Sequence, residues 1–124
     1  MADTKKAKGG ARSSARLAAV QALYQIEANS SSAKIVVKEF IDHRINEIID
    51  DTPLEKADTV FFSDIVLGTN ERLEEIDALI KSKLGDDWTI DRIESVARAA
   101  VRAGIYELIA RVDVPTSVII NEYI

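Results

Sequence analysis

Phe62, Val66, Thr69, Leu73, Ile76 and Ile80 follow one another at spacings of 4, 3, 4, 3 and 4. That spacing draws a seam down one side of an α-helix and is incompatible with a strand, whose faces alternate with period two. A second run behaves the same way. Val37, Ile41, Ile45 and Ile48 are spaced four, four and three apart, with Lys38, Glu39, Asp42 and Glu47 on the other faces. No stretch alternates with period two between hairpin turns, so the expected fold class is all-α, a helical bundle. At 124 residues, 47% of them hydrophobic, with only two Pro, the chain has material for one domain with a real core.

Breakers and caps divide the helical pattern. Residues 1–10 are polar and Lys-rich, end in Gly9-Gly10, and are expected to form a flexible basic arm ahead of a helical domain over 11–124. A first helix is predicted to open near Ala11–Ser14, with Ser13 and Ser14 as caps, and to run to about Ala28 with Leu17, Val20 and Tyr24 on one face. A second is predicted over 33–49, stopped by Asp50-Asp51-Thr52-Pro53. A longer pattern spans 54–84, and Gly68 and Asn70 predict a bend or break near 68–70. Further helices are predicted over 90–111 and 117–124, separated by Asp113-Val114-Pro115-Thr116.

Catalysis finds little support. The chain has no Cys and one His, His43, which excludes thiol chemistry, disulfides and any site needing two imidazoles. Glycine-rich phosphate loops, HExxH and EF-hand spacings are missing. The pairs Asp50-Asp51, Glu74-Glu75 and Asp86-Asp87 lie in polar contexts and read as solvated faces and caps. No catalytic residue, metal or cofactor is expected. No apolar run approaches the roughly 20 residues of a membrane span, and no signal-peptide core is present, so a soluble, cytoplasmic protein is expected.

Charge points to binding instead. The net charge of −5 is a sum of unlike parts: residues 1–16 hold five basic side chains against one acidic, a net of +4, and the rest hold 11 basic and 20 acidic, a net of −9. Lys5, Lys6, Lys8, Arg12, Ser13, Ser14 and Arg16 are therefore the candidate anion-binding residues. Arg12 and Arg16 stand four apart on one side of a helix start, where free amides and guanidinium forks both suit phosphate. A second group, Arg98 and Arg102 with Ser95 and Tyr106, shares one sector of the 90–111 helix. It is either an extension of an RNA surface or a face bridged by Glu94, which precedes Arg98 by one turn. Gly104 is expected to mark close helix packing.

Several stretches together resemble the NusB family of bacterial transcription antitermination factors. They are Ala11-Arg12-Ser13-Ser14-Ala15-Arg16, Ala19-Val20-Gln21-Ala22-Leu23-Tyr24, Phe61-Phe62-Ser63-Asp64-Ile65-Val66-Leu67-Gly68, Trp88-Thr89-Ile90-Asp91-Arg92-Ile93, Arg102-Ala103-Gly104-Ile105-Tyr106-Glu107-Leu108, Val114-Pro115 and Ile120-Asn121-Glu122, in family order. The resemblance implies an all-helical fold of two small sub-bundles and a non-enzymatic role. That role is binding the boxA element of ribosomal RNA leaders together with the ribosomal protein NusE, within an RNA polymerase antitermination complex. It puts Arg12 and Arg16 in the RNA surface and Tyr24 on the protein-partner side; Glu94 is a further candidate partner residue, and Arg98 a candidate extension of the RNA surface. It also implies Arg102 and Glu122 as a structural pair.

The chain departs from that pattern in three places. Ser13 and Ser14 replace arginines found in some relatives, and Ala97 stands where many relatives carry an acidic residue. Family members also continue past the Ile-Asn-Glu motif, so the chain is expected to lack the last helices, and an apolar seam left open would favour a homodimer. Two other roles fit a module of this kind: an RNA-binding accessory domain of a ribosomal RNA methyltransferase, or a helical protein-interaction module.

Overall fold

The computed structural model describes residues 2–44 and 58–123, with side chains from Gly10 to His43 and from Asp58 to Tyr123. Its helices are α1 (Ala2–Asn29), α2 (Ala33–Glu39), α3 (Thr59–Glu71), α4 (Leu73–Lys83), α5 (Ser95–Ala110) and α6 (Thr116–Tyr123). A π-helical turn, Phe40–Arg44, continues α2, and a 3₁₀ turn, Ile90–Arg92, precedes α5. There is no strand among the described residues, as the periodicity requires.

The centre of the bundle is α1. Its inner face is made of Ala15, Ala18, Ala19 and Ala22, each fully buried, and these small side chains let α3 and α5 approach closely. The bulkier Leu17 and Tyr24 lie on the outer side, 49% and 42% exposed. α1, α2 and α3 pack together as one group, where the rings of Phe40 and Phe62 stack with centroids 5.7 Å apart. α3 and α1 also contact α5, which carries α4 and α6 on its flanks. Five of the six residues of the seam expected from spacing, Phe62, Val66, Thr69, Ile76 and Ile80, are buried in the core, while Leu73 is half-buried.

Several boundaries differ from expectation. α1 opens at Ala2, taking in the stretch expected as a separate arm, so Ser13 and Ser14 lie inside a helix and cap nothing. Two glycines cost a helix about 1 kcal/mol each. Here Gly10 is buried, and the carbonyl of Ala11 accepts the amide of Asp58 at 3.1 Å, so tertiary contact outweighs propensity. α1 ends where predicted: Ser30 takes a left-handed φ of 51°, and the Ser31 amide donates back to the carbonyl of Ile26 at 3.1 Å, a Schellman closure. The long pattern breaks at Arg72, just after the glycine expected to break it. The carboxylate of Asp58 caps α3 by accepting the Phe61 amide at 2.9 Å. The predicted end of the second helix at Asp50–Pro53, with Ile45 and Ile48 before it, lies outside the described residues.

Candidate nucleic-acid interface

The basic residues of α1 separate according to the turn of the helix. Arg16 faces inward, its side chain only 5% exposed. It grips Glu107 of α5 with two parallel hydrogen bonds, Nε to Oε2 at 2.8 Å and Nη2 to Oε1 at 3.0 Å. Its third donor, Nη1, reaches Glu122 Oε1 of α6 at 2.7 Å. Ser13 donates its hydroxyl to the same Glu122 oxygen, and Tyr123 donates its own to Glu107 Oε2 at 2.5 Å. Burial and the bond to Glu107 push the Tyr123 hydroxyl far above the usual phenol range, keeping it a donor. For Arg16, burial is the largest influence and opposes the charge, but the bond to Glu107 together with the attraction of Glu107, Tyr123 and Glu122 outweighs it and raises its affinity for the proton.

Arg16 therefore holds α5 and α6 to α1 and leaves the candidate anion surface. Ser14 leaves it too: it is 1% exposed, and its hydroxyl has no hydrogen-bond partner in the structure. The predicted pairing of Arg102 with Glu122 is also corrected, since Glu122 belongs to Arg16 and Ser13.

Arg12, one turn earlier, remains at the surface with 38% of its side chain exposed. Its guanidinium lies 4.5 Å over the ring of Phe61 and makes long contacts of 3.5 Å to Asp113 Oδ2. Ser13 is half-buried beside it. The side chains of Lys5, Lys6 and Lys8 lie outside the described ones.

The second basic group is structural. Arg98 donates to Glu27 of α1 through Nε at 2.9 Å and through Nη2, and to the carbonyls of Ile93 at 2.7 Å and Ile90 at 3.2 Å. Arg102 clamps Asp77 of α4 with two bonds of 2.8 Å and reaches Glu27 at 2.6 Å. Their side chains are 13% and 12% exposed. Arg98, first, and Arg102 hold the Glu27 carboxyl below its ordinary range. Of the two readings of this sector, the ion-paired one holds, but with Glu27 in place of Glu94. Glu94 instead caps α5, accepting the amides of Val96 at 2.7 Å and Ala97 at 3.3 Å, and stays exposed.

Tyr106 is not available for stacking on a base. It is 7% exposed, donates to Asp64 Oδ1 at 2.7 Å, and lies across Gly68, where a Cβ would fall 2.2 Å from its Cζ. Burial first, then the bond to Asp64, pushes its hydroxyl up to about 12. Gly104 does mark close packing: a Cβ there would meet the ring of Tyr123 at 3.3 Å.

Spacing alone missed Phe61, Arg111, Asp113 and Glu107. Only Glu107 left a signal. It falls three residues after Gly104 and four after Ala103, on the small-residue face of α5, where a carboxylate has to find a buried cation. Among the described residues, no cluster of three or more His, Asp or Glu could hold a metal ion, and no helix is long and apolar enough to cross a membrane.

The NusB family model matches residues 13–124, nearly all of the chain. The chain belongs to the NusB family. It is 49% identical over 113 residues to the transcription antitermination protein NusB of Sphingopyxis alaskensis, covering 91% of this chain and 76% of that protein. The protein of the same name from Caulobacter vibrioides is 44% identical over 113 residues, with the same coverage. That of Sinorhizobium fredii is 45% identical over 113 residues, covering 91% of this chain and 71% of its own length. The NusB match takes in the Arg16–Glu107–Glu122 lock and Arg111 over Phe61, and it begins one residue after Arg12, leaving out the whole segment expected as the arm.

Proposed function

We propose that the chain is a non-enzymatic transcription antitermination factor that binds single-stranded boxA-type RNA of ribosomal RNA leaders. Family membership is the observation that carries this reading. The RNA surface is the amino-terminal side of α1, where Arg12 keeps an exposed and loosely held guanidinium, with Ser13 beside it and Lys5, Lys6 and Lys8 preceding it. Arg16 supports that surface from below.

The protein partner is the basic ribosomal protein NusE, and the pair acts with RNA polymerase in the cytoplasm. Tyr24, 42% exposed on α1, and the exposed Glu94 at the start of α5 are the partner residues. A net charge of −9 over residues 17–124 supports association with a basic protein.

Mobility shift of a boxA oligonucleotide, with and without NusE, tests the reading. Arg12→Ala combined with alanine at the three lysines should weaken RNA binding, while Tyr24→Ala should weaken only the NusE-dependent part. Unchanged affinity and salt dependence in the first variant would reject the RNA surface.

A further inference from the structure

Three guanidiniums surround the ring of Phe61: Arg12 at 4.5 Å, Arg111 at 4.9 Å and Arg16 at 5.0 Å. They are not equally satisfied. The donors of Arg16 are taken by two carboxylates at 2.7–3.0 Å, the range of strong charge-assisted hydrogen bonds. Arg12 and Arg111 share a single oxygen. Asp113 Oδ2 lies 3.5 Å from both terminal nitrogens of Arg12 and 3.2 Å from Nη2 of Arg111. The remaining bond of Arg111 is 3.2 Å to Asp64 Oδ2, while Asp64 gives its other oxygen to Tyr106 at 2.7 Å. Nε of Arg111 is buried without a hydrogen-bond partner. Two cationic forks are thus held beside Phe61 and share one exposed carboxylate oxygen, at 3.2 Å from Arg111 and at a long 3.5 Å from Arg12.

We propose that Arg12 and Arg111 form a pincer for one phosphodiester of the bound RNA, and that Asp113 occupies it until the RNA displaces it. This rests on the RNA-binding reading above and adds two residues to it, one attractive and one competing. A phosphodiester offers two anionic oxygens where Asp113 presents one, so each fork receives its own acceptor, and guanidinium geometry favours such paired contacts. The side chain of Asp113 is 53% exposed, in the turn between α5 and α6, and is free to swing into water when displaced. Its competition lowers affinity for any single phosphate. An RNA that also engages the rest of α1 overcomes it, which favours an extended strand over isolated anions.

The test is fluorescence anisotropy of a single-stranded boxA oligonucleotide with the wild-type chain, Asp113→Asn, Arg111→Gln and the double variant, across a salt series. Asp113→Asn should tighten binding by about threefold or more, because the competitor loses its charge. Arg111→Gln should weaken binding and make the log–log salt slope shallower by about 0.7, the loss of one phosphate contact on a single strand. The gain from Asp113→Asn should shrink in the Arg111→Gln background, where only the Arg12 arm is left to be freed, whereas a general charge effect would add independently. Inorganic phosphate at the same concentration should leave the wild-type complex intact.

Equal affinity of wild type and Asp113→Asn, or additive effects in the double variant, would overturn the pincer while leaving an Arg12-dependent RNA surface standing. Displacement by equimolar phosphate would overturn it in favour of a free-anion site. A folded wild-type chain that binds no RNA would reject the RNA reading itself, and the pincer with it. Asp113→Asn removes no core contact, so its result stands even if Arg111→Gln lowers the melting temperature.

Discussion

Arg16 of α1 and Glu107 of α5, 91 residues apart in sequence, form a two-point ion pair at 2.8 and 3.0 Å, with side chains only 5% and 0% exposed. Around it, Tyr123 and Glu122 of α6 bind the same two groups. Three helices are thereby fixed at one point, directly beneath the exposed Arg12. The pair converts the basic start of α1 from a uniform cationic stripe into an inner anchor and an outer contact.

Arg16→Ala should accordingly destabilise the fold, by about 3–5 kcal/mol, because Glu107 is left charged and buried without its cation. Urea denaturation measures this directly. Arg16→Met with Glu107→Leu should recover most of the loss, since an apolar pair of similar volume carries no desolvation penalty. A small stability change together with a selective loss of RNA affinity would contradict the inward placement of Arg16.

Glu27 should likewise act on stability without touching RNA. It is shared by Arg98 and Arg102, and Arg98 above all holds its carboxyl below the ordinary range. A carboxylate whose folded pKa is depressed stabilises the fold above its unfolded pKa, and that contribution is lost as pH falls through the folded value. Glu27→Gln should therefore lower the melting temperature at pH 7 and flatten the acid limb of the stability profile. RNA affinity should stay within about twofold of wild type, against a full tenfold for each 1.4 kcal/mol of lost contact. A larger loss would return Arg98 to the RNA surface.

Much of the helical architecture was legible in the sequence because helix periodicity is a local property. Of the six residues in the 4-3-4-3-4 spacing from Phe62 to Ile80, all but the half-buried Leu73 are buried in the core. The end of α1 was legible for a similar reason, since Asn29 and the serines after it favour the left-handed turn adopted by Ser30. What a local pattern cannot carry is which distant charge a charged residue meets. Arg16 and Arg12 look alike at a spacing of four, and only the position of Glu107 on another helix separates them. Tyr106 fell in a polar sector with Arg102, yet Asp64 and Gly68, both on α3, build it a buried socket. α1 starts earlier than its local sequence favours, because Gly9-Gly10 marks a weak helix locally, whereas the bond between Asp58 and Ala11 is a tertiary contact.

The socket gives Gly68→Ala an inverted sign. In an exposed helix this change stabilises by up to about 1 kcal/mol. Here the new methyl would fall 2.2 Å from Tyr106 Cζ, so the ring must move and its bond to Asp64 is strained. A destabilisation of about 1–3 kcal/mol is expected from such overpacking. Tyr106→Leu in the same chain should make Gly68→Ala far less costly. Additive effects of the two changes would show that the clash is not with this ring.

The same tyrosine should make the fold sensitive to alkaline pH. Its hydroxyl is pushed up to about 12, from an ordinary value near 10, by burial first and then by the bond to Asp64. A phenol with a raised folded pKa contributes stability that is fully present below its unfolded pKa and is lost as pH rises through the folded value. Between about pH 10 and 12 the unfolded chain therefore releases a proton that the folded chain keeps, and stability should fall by up to about 1.4 kcal/mol per pH unit from this residue alone. Tyr123, pushed up by burial and by Glu107, adds a decline of the same sign. Urea denaturation at a series of pH values should show the wild-type chain losing stability across this window. Tyr106→Phe, less stable at neutral pH for want of the Asp64 bond, should show a shallower decline. Parallel slopes for the two proteins would mean that Tyr106 releases its proton as readily in the fold as out of it, and the buried bond to Asp64 could not then be holding it.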